Sequence, residues 1–328
     1  MIIRAYAPAS IGNFAAGFDL LGAAIAPLDG SLWGDVVRAE PAPAPSLTLS
    51  GRYAAGLPAD PWQNLVLRTY ALVREARRAK GEGFPALAFH LEKNLPRSSG
   101  LGSSSSSVAA TLIACQGILA AAGGEPLSRP ELHALAGRAE SLVSGAVHLD
   151  NVVPALEGGM QLIVPGPSGQ PGQPDAAPES RALAWFDDLV LVLAMPAFEL
   201  PTARSRAVLP RCFPLAATLA FAQNLAGFVH ALESGDRELL RRCLRDVLTE
   251  PHRASLVPGF RAAQAAALAA GALGCGLSGS GPALFAVAES RPHAGEVAAA
   301  LQRALGDAGL ASQTRLCGLD RQGARLLA

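Results

Sequence analysis

Leu95-Pro-Arg-Ser-Ser-Gly-Leu-Gly-Ser-Ser-Ser-Ser-Ser107 opens without a gap onto an apolar run, Val108–Ala122. Gly100 and Gly102 permit positive φ and the close approach of a ligand to the main chain. The serines supply hydroxyls and N-cap oxygens. Behind them Val108, Leu112, Cys115, Leu119 and Ala122 recur at i, i+4, i+7, i+11 and i+14, one face of a 3.6-residue period. The other faces are apolar too, so the spacing predicts a helix over Ser104–Ala122 that is buried all round. Its first turn presents unpaired N–H groups at the positive end of a helix dipole, an anion site that most often takes phosphate. A flexible Gly/Ser linker would not run straight into such a stripe. The loop is not a Walker A motif: no Gly-Lys-[Ser/Thr] follows it, and no lysine occurs after Lys93.

Around this stretch the pattern mixes elements. Strands are predicted over Ile2–Ala7, Asp35–Ala39, Ser46–Ser50, Ala86–Leu91 and Met160–Val164, and helices over Asn64–Lys80 and Ser128–Val143. The last starts on a capping box, Ser128-Arg-Pro-Glu131. Further on, strands are predicted over Leu189–Leu193, Ala283–Val287 and Gln313–Leu316. Helices are predicted over Leu215–Leu232, Arg237–Leu248, Gly259–Ala270 and His293–Leu305. The irregular interleaving fits α+β better than a doubly wound parallel sheet. Pro165–Pro178 is too rich in proline and glycine for a helix or central strand and reads as a long loop near a boundary. A chain of 328 residues suits about two domains, here 1–165 and 180–328.

Composition excludes several classes. Half the residues are hydrophobic, which rules out general disorder. Twenty-seven basic residues balance twenty-seven acidic ones, so there is no basic footprint for nucleic acid or an anionic membrane. Val108–Ala122 and Leu189–Phe198 fall short of the ~20 apolar residues of a membrane span. The N-terminus lacks a signal-peptide pattern, and the expectation is a cytoplasmic protein. Five scattered cysteines with no Cys-x-x-Cys argue against a disulfide framework.

Five other segments carry chemistry. Gly274-Cys-Gly-Leu-Ser-Gly-Ser-Gly-Pro282 suggests a second backbone surface facing the same ligand as the first loop. Ala7–Gly22 is a strand entering a glycine-punctuated loop with one amide, Asn13, and one carboxylate, Asp19; turn chemistry alone would account for both. In Glu140–Asn151, Glu140 flanks the apolar stripe of its helix, where a carboxylate needs a partner, a cation among the options. His148, Asp150 and Asn151 cluster just beyond it. Near a phosphate loop, one or two oxygen ligands for Mg²⁺ are the natural reading; a surface-edge glutamate and an ordinary loop histidine are the plain ones. Finally, Thr202-Ala-Arg-Ser-Arg206 and Glu250-Pro-His-Arg253 offer arginines, bidentate receptors for a small carboxylate, unless they are solvated surface charges.

Taken in order, these motifs resemble the GHMP family of small-molecule kinases: the N-terminal strand-loop Ala7–Gly22, Pro-x₃-Gly-Leu-Gly-Ser-Ser at 96–104, and the glycine turn at 274–282. Pro-Ala-Ser…Asn…Gly-Phe-Asp-x-Leu-Gly, Ser-Gly-x-x-His-x-Asp-Asn-Val and Glu-Pro-x-Arg, with Pro-Gly-Phe-Arg at 258–261, are similar to the branch that phosphorylates homoserine. The likeness runs from about Ile3 to the end of the chain. It implies an N-terminal half like the second domain of ribosomal protein S5 and a ferredoxin-like C-terminal half, with ATP and substrate between them. It implies that Pro96, Arg97, Ser98, Ser99, Gly100, Leu101, Gly102, Ser103, Ser104, Ser105 and Ser106 wrap the ATP phosphates and that Asn64 reaches the base. Glu140 with Ser103 or Ser104 (Ser104 favoured) would hold Mg²⁺. Asn13, Asp19, His148, Asn151, Thr202, Arg206 and Arg253 would surround L-homoserine, Asp19 meeting its ammonium and the arginines its carboxylate. Asp150 and Asn151 would face the reacting hydroxyl, with Asn151 orienting it and Asp150 supporting the loop. The resemblance further implies a homodimer and a place in threonine biosynthesis. The loop departs from the family in Arg97-Ser98-Ser99, where glycine is usual, and at Ser105, where alanine is. The rival readings are a relative acting on another alcohol, such as mevalonate or a sugar, and a nucleotide-binding regulator without catalysis. The first lacks an α-amino group to engage Asp19; the second would be signalled by loss of Glu140 or the serine pair.

Overall fold

The computed structural model describes residues 1–145, 147–166 and 178–328. Most of the predicted Pro165–Pro178 loop, 167–177, lies outside the described residues.

Strand β1 (Ile3–Gly12) is the seam of the molecule. Ile3–Pro8 pair antiparallel with β3 (Gly34–Pro41), and Ala9–Gly12 pair with β2 (Leu21–Pro27). From β3 the sheet continues to β5 (Leu87–Glu92) and, in parallel, β4 (Ser46–Ser50). From β2 it continues through β11 (Ser312–Leu319) to β8 (Val190–Pro196), β10 (Leu284–Ala288) and β9 (Gly274–Leu277). Strands β6 (Met160–Val164) and β7 (Glu179–Leu183) add to β2, and β12 (Arg325–Leu326) to β1. The mixed sheet and segregated helices are an α+β arrangement.

Helices cover the sheet in two groups. Alternation in Leu87, Phe89 and Leu91 turns one face of β5 inward, onto α1 (Leu65–Ala79) and α2 (Ser103–Ala121). Helix α3 (Arg129–Ser144) packs on both, and α4 (Val152–Glu157) packs on α2 and on strands β1 and β2. Glu131 accepts a 2.8 Å bond from the Ser128 amide, as the capping box requires. In the second half α9 (Phe260–Ala269) and α10 (Arg291–Asp307) pack on β8–β10. A third core gathers Phe14, Trp185, Phe228 and Phe285, the Phe14 and Phe285 rings 4.8 Å apart.

Helix α2 is buried along most of its length, as its apolar faces require. Helix α6 (Leu215–Ser234) is equally apolar but lies at the surface, with Leu215 74 % exposed. These are the two helices, among the described residues, long and apolar enough to cross a membrane.

Three expectations need correction. The strand predicted to end at Ala7 runs on to Gly12 as β1, so the loop covers only 13–20 before β2 begins at Leu21. A run of small apolar residues buried on both faces shows no alternation, so neither stretch looks like a half-buried strand. The helix predicted over Arg237–Leu248 stops at Cys243 as α7 (Arg237–Cys243). The Asp246 carboxylate takes the amides of Leu248 and Thr249 at 2.8 and 2.7 Å and starts a turn instead. Half of the second glycine cluster is strand β9, leaving only the following residues as turn.

Candidate active site

A cleft of about 270 Å³ lies where the two glycine loops, β1 and α3 converge. Its floor is the N-terminus of α2. Gly102 caps that helix at φ 62°, and a Cβ there would sit 2.0 Å from the Ser10 hydroxyl, so only glycine fits. Gly100 is similarly pinned: its Cβ would stand 2.4 Å from the Ser278 carbonyl. The glycine turn therefore buttresses the phosphate loop directly. Ser278 Oγ donates to the Gly100 carbonyl at 2.5 Å and the Ala283 amide to the Ser99 carbonyl at 3.0 Å. The two loops, expected to present two backbone surfaces to one ligand, line one cleft; they also touch, and only Gly279 and Ser280 of the turn reach it.

The structure sorts the loop residues. Arg97, Ser98, Ser99, Gly100, Gly102, Ser103, Ser104 and Ser105 line the cleft. Pro96, Leu101 and Ser106 do not. Pro96 borders a separate groove, Leu101 is fully buried in the core, and the Ser106 hydroxyl donates inward to the Ala7 carbonyl at 2.7 Å. Ser103 Oγ is spent on the Leu95 carbonyl at 3.1 Å. Ser104 Oγ and Ser105 Oγ instead donate to the two carboxylate oxygens of Glu140, at 3.0 and 3.1 Å. Burial pushes the Glu140 carboxyl up to about 7, against the pull of these hydroxyls. Asn64 lines the cleft, but its amide oxygen caps α1 by accepting from Val66 N at 3.0 Å.

Beneath the loop is a group the sequence reading missed. Lys93 Nζ bonds Asp35 Oδ2 at 2.5 Å, the Ser103 carbonyl at 2.7 Å and Ser107 Oγ at 2.9 Å. Asp35 also takes the amides of Asn94 and Leu95 at 2.9 and 3.2 Å. Both charges are buried, and their hydrogen bonds tie the strand–loop–helix junction to β3. A lysine at a strand end reads as solvated; its partner lies 58 residues away in sequence, so no local pattern marks it.

At the other end of the cleft the loop after β1 holds left-handed backbone at Asn13, Phe14, Ala15 and Asp19 (φ 64°, 38°, 57° and 58°). Each such non-glycine residue costs on the order of 1–3 kcal/mol unless the surroundings fix it. They do: Asn13 Nδ2 donates to the Gly279 carbonyl and its Oδ1 accepts from the Asp19 amide, both at 2.9 Å. The Asn13 amide donates to Asp150 Oδ2 at 3.1 Å. Asn151 accepts from Ser10 Oγ at 3.0 Å and donates weakly to Asp150 at 3.3 Å. Burial first, then the nearby Asp19 charge, raise the Asp150 carboxyl above its usual range.

Asp19 and Arg206 form a 2.6 Å ion pair that crosses from one half of the chain to the other. Arg206 also donates to His148 Nδ1 at 3.0 Å, which leaves the proton of the neutral ring on Nε2. Desolvation holds the imidazole below its ordinary pKa, so it is neutral at pH 7. Both His148 Nε2 and Arg206 Nε are buried with no hydrogen-bond partner among the described residues. Arg253, 2 % exposed, donates to the Ser205 and Gly279 carbonyls at 3.2 and 3.4 Å. Thr202 bonds Ser280 at 3.2 Å. The cleft thus gathers Asn13, Asp19, His148, Asp150, Asn151, Thr202, Arg206 and Arg253 at one end and the phosphate loop with Glu140 at the other. One end offers helix-terminal amides and hydroxyls for an anion, the other donors, a carboxylate and two guanidiniums for a small charged molecule.

Comparison with known proteins agrees with this layout. Residues 64–159 match the model of the GHMP kinases N terminal domain, and residues 228–307 that of the GHMP kinases C terminal. A homoserine kinase from Cytophaga hutchinsonii superposes with a TM-score of 0.85 at 30 % identity, covering 99 % of this chain and 97 % of that one. A putative homoserine kinase from Listeria monocytogenes (TM-score 0.68, 22 % identity, 99 % of both chains) shares the fold. So does L. major mevalonate kinase in complex with R-mevalonate (0.63, 16 %, 94 % of both). The chain belongs to the GHMP kinase family, with that family's N- and C-terminal domains. It is a phosphotransferase of the kind that uses ATP as phosphate donor.

Proposed function

We propose that the protein phosphorylates L-homoserine with ATP, giving O-phospho-L-homoserine and ADP, as a cytoplasmic step of threonine biosynthesis. The observation that carries this reading is the joining, in one cleft, of the α2 phosphate cradle to Asp19, His148, Arg206 and Arg253. An α-amino acid brings an ammonium for Asp19 and a carboxylate for the arginines; an uncharged alcohol would leave both sets unused. The likeness to the Cytophaga enzyme supports the same substrate.

In this reading the amides and hydroxyls between Arg97 and Ser105 hold the nucleotide phosphates. The side-chain hydroxyl oxygen of homoserine forms a bond to the γ-phosphorus as the bond from that phosphorus to the β–γ bridging oxygen breaks, and ADP leaves. Ser104 and Glu140 supply two hard oxygen donors, a set that fits Mg²⁺, which takes few protein ligands and completes its shell with phosphates and water. A bound Mg²⁺ would neutralise charge between the β- and γ-phosphates. Among the described residues no larger His, Cys, Asp or Glu cluster competes for it. Asn151 orients the hydroxyl, and Asp150 supports the loop through the Asn13 amide. A loose transition state builds little charge on the nucleophile, so the proton leaves late, to an oxygen of the transferred phosphoryl group, and no carboxylate base is required.

The test is an ATP-consumption assay over L-homoserine, L-serine, mevalonate and galactose. Homoserine should be turned over in strong preference. Equal or faster turnover of an uncharged alcohol overturns the assignment.

A further inference from the structure

Arg253 is almost fully buried, yet it forms no ion pair with a carboxylate among the described residues. Its nitrogens meet only two backbone carbonyls. A buried cation without a counter-charge is expensive. What faces it is the ring of Phe18: the Arg253 guanidinium carbon lies 5.1 Å from the ring centroid. The Arg206 guanidinium lies 5.4 Å from the same centroid. Two like charges are thus gathered over one aromatic ring, and the quadrupole of a ring attracts cations within about 6 Å. The next residue, Asp19, supplies the carboxylate for Arg206. The dipeptide Phe18-Asp19 therefore serves both arginines, one by its π-system and one by its charge. Arg206 pairs directly with Asp19; Arg253 has no carboxylate in contact among the described residues, only the more distant charges of Asp246, Asp19 and Asp150, and keeps its guanidinium for a ligand.

We infer that Phe18 is a positioning residue that sets the spacing of Arg206 and Arg253 and so determines specificity for substrates bearing a carboxylate. The inference rests on the proposed amino-acid substrate and deepens it. Without the ring, Arg253 would rest on two backbone carbonyls and on the more distant charges of Asp246, Asp19 and Asp150, and repulsion from Arg206 would splay the pair. Phe18 is half-buried and lies outside the aromatic core built on Phe14, so replacing it leaves that core intact.

The experiment compares wild type, Phe18→Leu and Phe18→Tyr, each checked for an unchanged melting profile, with L-homoserine and with 3-aminopropan-1-ol, the analogue lacking the carboxylate. Phe18→Leu should raise KM for homoserine about tenfold, the loss of two contacts of this type. KM for ATP and the kinetics of the carboxylate-free analogue should stay within about twofold, and Phe18→Tyr should behave as wild type. An unchanged KM for homoserine, or a parallel rise in both substrates' KM, overturns the inference. Arginine side-chain NMR reads the geometry without any substrate. The Nε–H signals of Arg206 and Arg253 should carry ring-current shifts that vanish in Phe18→Leu, and unshifted signals in wild type overturn it too. A wild-type enzyme that ignores homoserine but shows the shifts would sink the substrate assignment and leave the packing role of Phe18 standing.

Discussion

The two ends of the cleft each contain an ion pair, and the pairs differ in kind. Lys93 and Asp35 are 3 % and 0 % exposed in their side chains, and every other hydrogen bond described for those two side chains runs to the loop or α2. Asp19 and Arg206 are 30 % and 28 % exposed and leave the buried Arg206 Nε without a partner among the described residues. The first pair is part of the scaffold: it fixes where the helix begins. Under the proposed function the second is exchangeable: the ammonium of a zwitterion would take Asp19 and its carboxylate Arg206. A kinase that must hold the same nucleotide every time and select one small acceptor needs a rigid end and a yielding one.

Substitutions should separate the two. The largest effect on turnover belongs to Glu140→Gln, expected to lower kcat by at least about 100-fold with the fold intact, because charge neutralisation and positioning supply most of phosphoryl-transfer catalysis. A near-normal kcat with unchanged Mg²⁺ dependence would make Glu140 purely structural. Next, Lys93→Met strands a buried Asp35 and should cost about 3–5 kcal/mol in urea unfolding. Asp19→Asn, by contrast, breaks a partly exposed pair and should cost about 1 kcal/mol or less, while raising KM for homoserine. Equal stability losses would erase the distinction between scaffold and exchangeable pair.

The scaffold end was the more readable from sequence. Glycines at 100 and 102 before an apolar helix announce an anion site, because backbone geometry is encoded locally. Its support was not: Lys93 and Asp35 meet only through the pairing of β3 with β5. The inward turn of Leu101 and Ser106 was hidden for a related reason, since a serine run does not show which hydroxyls face the core. The acceptor end is assembled from four distant segments, so Asp19, His148, Arg206 and Arg253 could be grouped only through family resemblance. Phe18 stands in the Gly-Phe-Asp motif, but no sequence pattern places its ring against two arginines from the other half of the chain.

Smaller effects sharpen the same picture. Asn151→Ala should lower kcat more than Asp150→Asn does; a loss of about 10³-fold or more in Asp150→Asn, with folding and ATP binding intact, would instead identify Asp150 as a general base. Stability should also depend on pH in a definite direction. Burial raises the carboxyls of Glu140 and Glu250 to about 7, and that of Asp150 in the same sense. Between their unfolded range near 4 and about 7 the folded chain therefore holds protons that the unfolded chain has lost, and stability falls as pH rises through that window. Glu131, lowered to about 2, acts oppositely but only below its unfolded range. The urea midpoint of the ligand-free protein should drop from pH 5 to pH 8; a rise would mean these carboxyls are ionised on folding.

The central claim is that one cleft has a nucleotide end and a separable carboxylate-binding end. Steady-state kinetics of Arg253→Leu with both substrates varied test it most directly. Loss of a charged hydrogen bond from a buried partner costs about 2–5 kcal/mol, so KM for L-homoserine should rise by at least about 30-fold while KM for ATP stays near its wild-type value. A rise in KM for ATP with that for homoserine unchanged would place Arg253 in the nucleotide pocket and contradict the account.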